Sequence, residues 1–243
     1  METKAITSVS EYLIDYLRTE IITGGLAPGE KIKEYQLSET LNVSRPILRE
    51  VLRTLESEHL VDTVPRKGSY VSNISFQDFF ELYDIREMIE CKAVDLLKHN
   101  KIRSIPEMDE AMKKESSLKV PSQGASPSDF LVFFETGLVF HSILIKAAGN
   151  KRLTQYYQGI QYNLLRYHEF QDSENLEAQT KVDHSEFVER LANGKYVQAK
   201  KYLQDHIKTH AEIIRKNIEF REKRNIKYQP PAGAFRNVSL HHS

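Results

Sequence analysis

The sequence predicts a mainly α-helical protein with two domains, an N-terminal winged helix-turn-helix and a C-terminal antiparallel all-α bundle. Three observations lead to this prediction. Apolar residues recur at helical spacing along most of the 243 residues. Patterns typical of strands are confined to a short stretch near residues 60–71, and glycines and prolines are few and scattered. We place the domains at residues 1–74 and 75–225, and we expect a flexible tail at 226–243.

The first domain begins with three predicted helices. The first covers roughly residues 13–22 and ends at a glycine-rich turn, and the second covers 35–41. Ser44 is a favourable N-cap for the third helix, at 45–58. Pro46 lies in the first turn of that helix, where the missing N–H group would have had no partner.

A β-hairpin is expected after the third helix. Residues 60–64 and 69–71 form two short runs rich in β-branched and aromatic residues, and Arg66, Lys67 and Gly68 lie at the turn between them. The order of helix, helix-turn-helix and hairpin is the layout of a winged helix. Such a domain binds double-stranded DNA with its last helix in the major groove.

The third helix carries the residues that we predict to contact DNA. Arg45, Arg49 and Arg53 are spaced four residues apart and therefore lie on one helical face. An arginine either contacts the edge of guanine through two hydrogen bonds or binds a phosphate. Ser44, Arg45 and Arg49 are nearest to the helix N-terminus, where recognition helices contact bases. The alternative is a solvated charged face, and the helix-turn-helix context favours DNA.

Charge and cysteine content narrow the possible classes of protein. Lysine and arginine number 34, aspartate and glutamate also 34, so the formal net charge is zero and DNA binding must depend on a few locally placed arginines. The single cysteine, Cys91, excludes an intramolecular disulfide. The sequence has neither an apolar leader nor an apolar run of 18 residues, which predicts a cytoplasmic protein without a membrane span.

The second domain is expected to contain about six helices packed as a bundle. Ser75 and Asp78 mark the start of the first, which runs to about His99. Residues 104–107 match a capping box with a proline inside the first turn, and residues 120–128, rich in proline, serine and glycine, predict a mobile loop. The remaining helices are expected near residues 129–148, 151–170, 173–192 and 195–221.

Several polar residues fall on the apolar faces of these helices. Arg86 and Glu90 are one turn apart near the core-facing side, where a charged pair needs partners or a function. His141, His184 and His206 lie on the apolar stripes of three different helices. Each alone is more readily explained as a hydrogen-bonded core histidine. Three converging imidazoles suit a divalent metal such as Zn²⁺ or Ni²⁺.

Four motifs in the first half belong together: residues 26–32, 37–45, 48–56 and the wing at 64–71. Together they resemble the signature of the GntR superfamily of transcriptional regulators, and the resemblance covers the first 73 residues. One departure is local, since a Pro-Ile pair follows the Ser-Arg pair where Thr-Pro is common in the family.

The resemblance implies roles for individual residues of the first domain. Arg45 and Arg49 would contact bases and phosphates, and Ser44 would bind a phosphate. On the wing, Arg66, Lys67 and Gly68 would enter the neighbouring minor groove. Tyr35 occupies the place of a DNA-contacting arginine in the related acyl-CoA-responsive regulator, so that contact is not carried over.

Motifs in the second half are found at residues 82–86 with Glu90, and at 140–141, 149–150, 183–184 and 205–207. They resemble the FCD effector domain of the FadR branch over about residues 76–222. Many such domains bind a divalent metal with one aspartate and three histidines. The histidines correspond to His141, His184 and His206, but Gly137 stands in the place of the aspartate, and Glu135 is the nearest substitute in sequence.

These residues suit two kinds of site. In the first, three histidines hold a metal ion that is completed by water or by an effector carboxylate. In the second, the metal has been lost and an anion binds directly to the histidines and Arg86. In both, Arg86 contacts a small anionic effector.

The function that follows is a sequence-specific transcriptional regulator. It would act as a homodimer on a short inverted repeat of double-stranded DNA and respond to a small carboxylate, the effector class common among the proteins that it resembles. One alternative is an acyl-CoA-responsive regulator without metal. Another is a metal-dependent hydrolase, but we find no nucleophile motif and no general base beside the histidines, and we predict that the protein is not an enzyme.

Overall fold

A computed structural model describes residues 8–119, 127–167 and 184–223 of the chain. These residues are mainly helical, with one two-stranded antiparallel sheet after the N-terminal helices, which confirms the predicted fold class. They fall into two compact units that divide between Ile74 and Ser75. The tail predicted at 226–243 lies outside the described residues. No helix in the described part of the chain is long and apolar enough to cross a membrane.

The N-terminal unit contains α1 (Val9–Ile22), α2 (Glu34–Thr40), α3 (Arg45–Ser57), β1 (Val61–Val64) and β2 (Gly68–Val71). Ser8 caps α1 in a capping box with Glu11, which satisfies two backbone N–H groups at once. The buried face of α1 packs on α3, whose own buried residues are Leu48, Val51, Leu52 and Leu55. Because these apolar residues recur every three or four positions, the opposite face of α3 is left for charged side chains.

The wing is a hairpin held to the rest of the unit by a third backbone segment. Strands β1 and β2 pair in antiparallel register, with Val61 opposite Val71 and Val64 opposite Gly68. Lys31 forms an isolated bridge with Tyr70, so the chain between α1 and α2 anchors the hairpin. The strands begin one residue later and one residue earlier than predicted, at Val61 and Gly68.

The C-terminal unit contains α4 (Phe76–His99), α5 (Pro106–Ser117), α6 (Pro127–Ala147), α7 (Lys151–Arg166), α8 (Ser185–Ala192) and α9 (Tyr196–Lys223). As predicted, Ser75 caps α4 by accepting a hydrogen bond from the Asp78 amide. Helix α4 is central, since it packs against α6, α7 and α9. Its inward face therefore determines which side chains meet inside the unit.

The structure corrects several predicted helix ends. The capping box predicted at Ser104 is not formed: α5 has Ile105 as its N-cap, with no side-chain cap. The physical reason is Pro106, which starts the helix and holds the residue before it in an extended conformation. Helix α6 begins at Pro127, inside the stretch predicted as a loop, and residues 120–126 of that stretch lie outside the described residues. Helix α7 ends at Arg166, and the predicted helix at 173–192 is described only from residue 184 onward.

Candidate functional site

The exposed face of α3 carries the predicted DNA contacts. Ser44 is the N-cap of α3 by its extended backbone, but its hydroxyl makes no capping hydrogen bond. Arg45, Arg49 and Arg53 are all exposed on the helix that follows. The structure thus brings Ser44, Arg45 and Arg49 to one end of one helical face, with a hydroxyl that is available to a phosphate oxygen.

Arg49 is the most constrained of these arginines. Its Nε donates a hydrogen bond to Glu34 Oε2 at 3.0 Å, while 57% of its side chain remains exposed. An exposed pair of this kind contributes little free energy and is screened by salt. A phosphate or base that approaches α3 therefore competes with Glu34 for this guanidinium.

The tip of the wing presents the other predicted contacts. Arg66 and Lys67 are exposed, and Arg66 has a left-handed backbone with φ of 64°. Gly68 has φ of 104°, a conformation that suits glycine, and it closes the turn in which the Lys67 amide donates to Val64 O. Tyr35, in contrast, is 64% exposed on α2 and presents a hydroxyl group in place of a positively charged arginine side chain.

A buried charged triad lies on the inward face of α4. Arg86 is 2% exposed and Glu90 is fully buried. Arg86 Nε donates to Glu90 Oε1 at 2.8 Å, and His141 Nδ1 lies 2.7 Å from Glu90 Oε2. Arg86 Nη2 lies 2.9 Å from His141 Nε2, so the three side chains close a ring of hydrogen bonds. The ring of Tyr83 covers the guanidinium, with Arg86 Cζ 5.5 Å from its centroid.

Burial and these charges set the protonation states. Burial opposes the charged form of Arg86, but Glu90, Tyr157 and Tyr83 together outweigh it and the pKa of Arg86 is raised, so the guanidinium stays charged. Burial, together with Arg86 and His184, holds the pKa of His141 well below its usual value. The pKa of His206 is likewise lowered well below its usual value, first by burial and then by His141 and His184. Both imidazoles are therefore neutral near pH 7, which is the form that binds metal ions.

The three predicted histidines converge although they come from different elements. One ligand nitrogen from each of His141, His184 and His206 lies within 4.8 Å of the others. Their ring centroids are 5.0–5.2 Å apart. His184 Nε2 is buried and has no hydrogen-bond partner in the described part of the chain. Three imidazoles, one of them with an orphaned nitrogen, form a donor set that fits Zn²⁺ or a similar divalent ion.

His184 is held between an aromatic ring and a carboxylate. The ring of Phe140 stacks on the imidazole, with centroids 3.9 Å apart and planes inclined by 16°. On the other side, His184 Nδ1 lies 3.1 Å from Glu115 Oε2. Glu115 comes from the last turn of α5, and no sequence pattern set it apart from the other charged residues of that helix.

The missing aspartate leaves an open position on α6. A Cβ atom at Gly137 would stand 3.8 Å from Glu115 Oε1, in ordinary van der Waals contact. Glu135, the substitute suggested by sequence, is exposed and is not part of the histidine group. Among the described residues, the carboxylate nearest to Gly137 therefore comes from α5 rather than from α6.

Two tyrosines near Arg86 complete the polar interior. Tyr83 donates or accepts a hydrogen bond with His210 Nδ1 at 2.8 Å, and burial raises its pKa to about 12. Tyr157 is 1% exposed, and its hydroxyl has no hydrogen-bond partner in the described residues. Burial and Glu90 raise the pKa of Tyr157, so it is a neutral donor. Sequence reasoning missed Tyr157, because an aromatic residue on an inward helical face is usually core.

Comparison with known proteins gives matches over both units. Residues 10–71 match the description "Bacterial regulatory proteins, gntR family", and residues 81–209 match the FCD domain. A relative in Streptomyces ambofaciens, an uncharacterized HTH-type transcriptional regulator in an unstable DNA locus, is 27% identical over 79% of this chain and 79% of its own length. The HTH-type transcriptional repressor RspR of Escherichia coli K12 is 28% identical over 58% of this chain and 59% of its own length.

A solved structure shares the fold. The putative transcriptional regulator GntR from Rhodococcus sp. RHA1 superposes with a TM-score of 0.67 at 21% identity, over 85% of this chain and 97% of that one. The relatives reported above are named as regulators or repressors rather than as enzymes.

Proposed function

Because the chain belongs to the gntR family of bacterial regulatory proteins and carries an FCD domain, we propose that it is a DNA-binding transcriptional regulator controlled by a small carboxylate effector held at Arg86. DNA binding and regulation follow from the family, and the protein is not an enzyme. We further propose that the effector acts together with a bound metal ion and that the regulator is a homodimer.

The DNA contacts that we propose are those of the exposed α3 face and the wing. Arg45 and Arg49 contact base edges and phosphates, and the free Ser44 hydroxyl binds a phosphate. The wing reaches the minor groove with Arg66, Lys67 and Gly68. Since basic and acidic residues nearly balance in the first 73 residues, non-specific attraction to DNA is weak. In a homodimer, two such domains bind the two halves of an inverted repeat at once, and this raises the affinity for operator DNA.

One observation carries the effector proposal. The buried guanidinium of Arg86 is accompanied by the Tyr157 hydroxyl and His184 Nε2, two buried polar atoms without hydrogen-bond partners in the described residues. Burial lowers the pKa of Arg86, whereas Glu90 and then Tyr157 raise it, so both side chains act on the guanidinium. Unsatisfied buried polar atoms are costly, and a ligand with acceptor oxygens removes that cost. A small carboxylate accepts from both Arg86 and Tyr157.

The three histidines are proposed to hold a divalent ion beside this effector. Bound there, the ion supplies positive charge for a carboxylate oxygen. His141 Nε2 now contacts Arg86 Nη2, so His141 can bind the ion through this nitrogen only when Arg86 releases it. The released guanidinium is then free to meet the effector carboxylate. Effector binding would rearrange the contacts of α4 and change the placement of the two DNA-binding units in the dimer.

The effector proposal is tested with a variant that removes only the orphaned hydroxyl. Small mono- and dicarboxylates are screened by thermal stabilisation, and the best is measured by isothermal titration with wild type, Tyr157→Phe and, as a control, Tyr156→Phe, which alters the exposed neighbour. Tyr157→Phe should weaken binding by about 10- to 100-fold, as expected for a hydrogen bond to a charged group, without loss of stability. Equal binding by both variants, or stabilisation by acyl-CoA alone, would overturn it.

The metal proposal is tested by elemental analysis of protein purified without chelators. We expect about one divalent ion per chain in wild type and in His99→Ala, which removes an exposed histidine at the end of α4. His184→Ala should lose the ion. Equal metal content in wild type and His184→Ala would contradict a histidine site.

A further inference from the structure

We infer that Glu115 is a positioning residue: its carboxylate fixes the His184 imidazole so that Nε2, and not Nδ1, is the nitrogen offered to a metal ion or ligand. The inference deepens the proposed histidine site and rests on it. It assigns a role to α5, a helix that contributes none of the three histidines.

The need for a positioning residue follows from the surroundings of His184. This residue is the N-cap of α8, at the edge of the helix, and its side chain is 4% exposed. Phe140 stacks flat on the imidazole and so fixes the plane of the ring. Stacking does not distinguish the ring from the same ring rotated by half a turn about Cβ–Cγ. Rotation would exchange the places of nitrogen and carbon atoms while the stacked contact stays the same.

The Glu115 carboxylate removes this ambiguity. Its Oε2 lies 3.1 Å from His184 Nδ1, and a carboxylate only accepts hydrogen bonds, so Nδ1 carries the proton. In the neutral imidazole Nε2 then keeps its lone pair, and this is the buried nitrogen without a partner in the described residues. A half-turn of the ring would replace Nδ1 by a carbon atom opposite Glu115 and lose the hydrogen bond.

The same arrangement recurs at a second histidine of the cluster. Glu90 Oε2 lies 2.7 Å from His141 Nδ1, which leaves His141 Nε2 on the side of Arg86. Two of the three histidines thus have a carboxylate on Nδ1, although Nε2 is without a partner in the described residues only in His184, since in His141 it contacts Arg86. Carboxylates behind ligating histidines orient the ring and raise its basicity, and their loss commonly weakens metal binding by about 10- to 100-fold.

Gly137 provides a way to test whether the carboxylate itself matters. A Cβ atom there would meet Glu115 Oε1 at 3.8 Å, so the backbone of α6 stands beside the same carboxylate. An aspartate at residue 137 would therefore bring a second carboxylate to this place from the opposite helix. In a protein that lacks the Glu115 side chain, Gly137→Asp should restore part of the Nδ1 protonation of His184 in metal-free spectra, whereas Gly137→Ala should not.

The first measurement needs no metal. Long-range proton–nitrogen correlation spectra of chelator-treated protein, recorded at about pH 8, report which imidazole nitrogen carries the proton. The His184 signals are assigned by their loss in His184→Ala. In wild type and in the control Glu110→Gln, an exposed glutamate of α5, His184 should be protonated at Nδ1. Glu115→Ala should give a mixture of tautomers, and an unchanged spectrum would overturn the inference.

The second measurement is the dissociation constant of Zn²⁺ by competition with a chromophoric chelator. It should rise by about 10- to 100-fold in Glu115→Ala and stay unchanged in Glu110→Gln. A Glu115→Ala constant within twofold of wild type would contradict the assigned role. If wild type binds no Zn²⁺, the proposed metal site fails, while the tautomer spectra still decide the role of Glu115.

Discussion

The two units of the protein keep their functional charges in opposite places. On α3 the arginines lie on an exposed face, and Arg49 forms an ion pair with the partly exposed Glu34. Around α4 the charges are internal, with Arg86 and Glu90 almost fully buried and tied to His141. An exposed charge costs little folding free energy and stays accessible to a large polyanion such as DNA. A buried charge is tolerated only when partners or a ligand compensate for its loss of water. We therefore expect substitutions at the buried charges to change stability most, and substitutions at the exposed arginines to change DNA affinity.

The largest expected effect is on stability and comes from breaking the buried pair. Glu90→Leu leaves Arg86 buried without its carboxylate and should lower the free energy of unfolding by about 3–5 kcal/mol. The matched control is Glu186→Leu, which breaks the partly exposed pair with Arg190 that has the same i, i+4 spacing. That change should cost about 0.5 kcal/mol or less. Urea denaturation measures both, and equal small losses would remove the distinction between buried and exposed charges.

The next effect is on DNA affinity and should leave stability unchanged. Arg45→Ala and Arg49→Ala should each weaken operator binding by about 1–3 kcal/mol if they contact a base, and Arg53→Ala should cost less because it lies a turn farther from the helix N-terminus. The operator is found by selection from random double-stranded DNA, and affinities are then measured by fluorescence anisotropy. Normal binding by Arg45→Ala would exclude it from the interface.

Two N-cap serines sharpen the comparison. The Ser75 hydroxyl accepts from the Asp78 amide, whereas the Ser44 hydroxyl makes no cap. Ser75→Ala should therefore lower the free energy of unfolding by about 1 kcal/mol and leave DNA contacts intact. Ser44→Ala should do the reverse, with little loss of stability and weaker operator binding. Denaturation curves and operator affinities for both variants give four values, and a stability loss at Ser44 equal to that at Ser75 would refute this division.

A smaller effect is expected at alkaline pH. The pKa of Tyr83 is raised by burial to about 12, above the value near 10 that it has in the unfolded chain. The unfolded state therefore loses this proton first as the pH rises above 10, and stability is lost between about pH 10 and 12. At pH 11 the loss should be about 1 kcal/mol, and Tyr83→Phe should abolish that part of it. Tyr35→Phe, which alters an exposed tyrosine, should leave the pH dependence of unfolding as it is in wild type.

Sequence reasoning reached the N-terminal unit in detail because its signals are local. Helical spacing, the N-cap at Ser44 and the turn at Gly68 each depend on residues that are neighbours in the chain, and the strands were misplaced by only one residue. The capping box predicted at Ser104 was wrong for a local reason as well. Ser104 and Pro106 both indicate the start of a helix, and the fixed backbone of Pro106 determines where α5 begins.

The buried site was only partly predictable because its contacts are distant in sequence. The inward phases of Arg86, Glu90 and the three histidines follow from helical periodicity. Glu115 meets His184 across 69 residues, a contact fixed by how α5 packs beside α6 and not by any pattern in α5 itself. Tyr157 differs from a core tyrosine only in that its hydroxyl finds no partner among the described residues, which a sequence does not reveal.

The central claim is that the buried site of the C-terminal unit controls the exposed DNA contacts of the N-terminal unit. The most direct test measures operator affinity with and without a saturating small carboxylate that binds the wild-type protein, in wild type and in Tyr157→Phe. We expect operator affinity to change by about 5- to 150-fold in wild type, as is usual for allosteric coupling, and the effective effector concentration to be higher in Tyr157→Phe. Identical operator affinity with the effector bound and absent would contradict it.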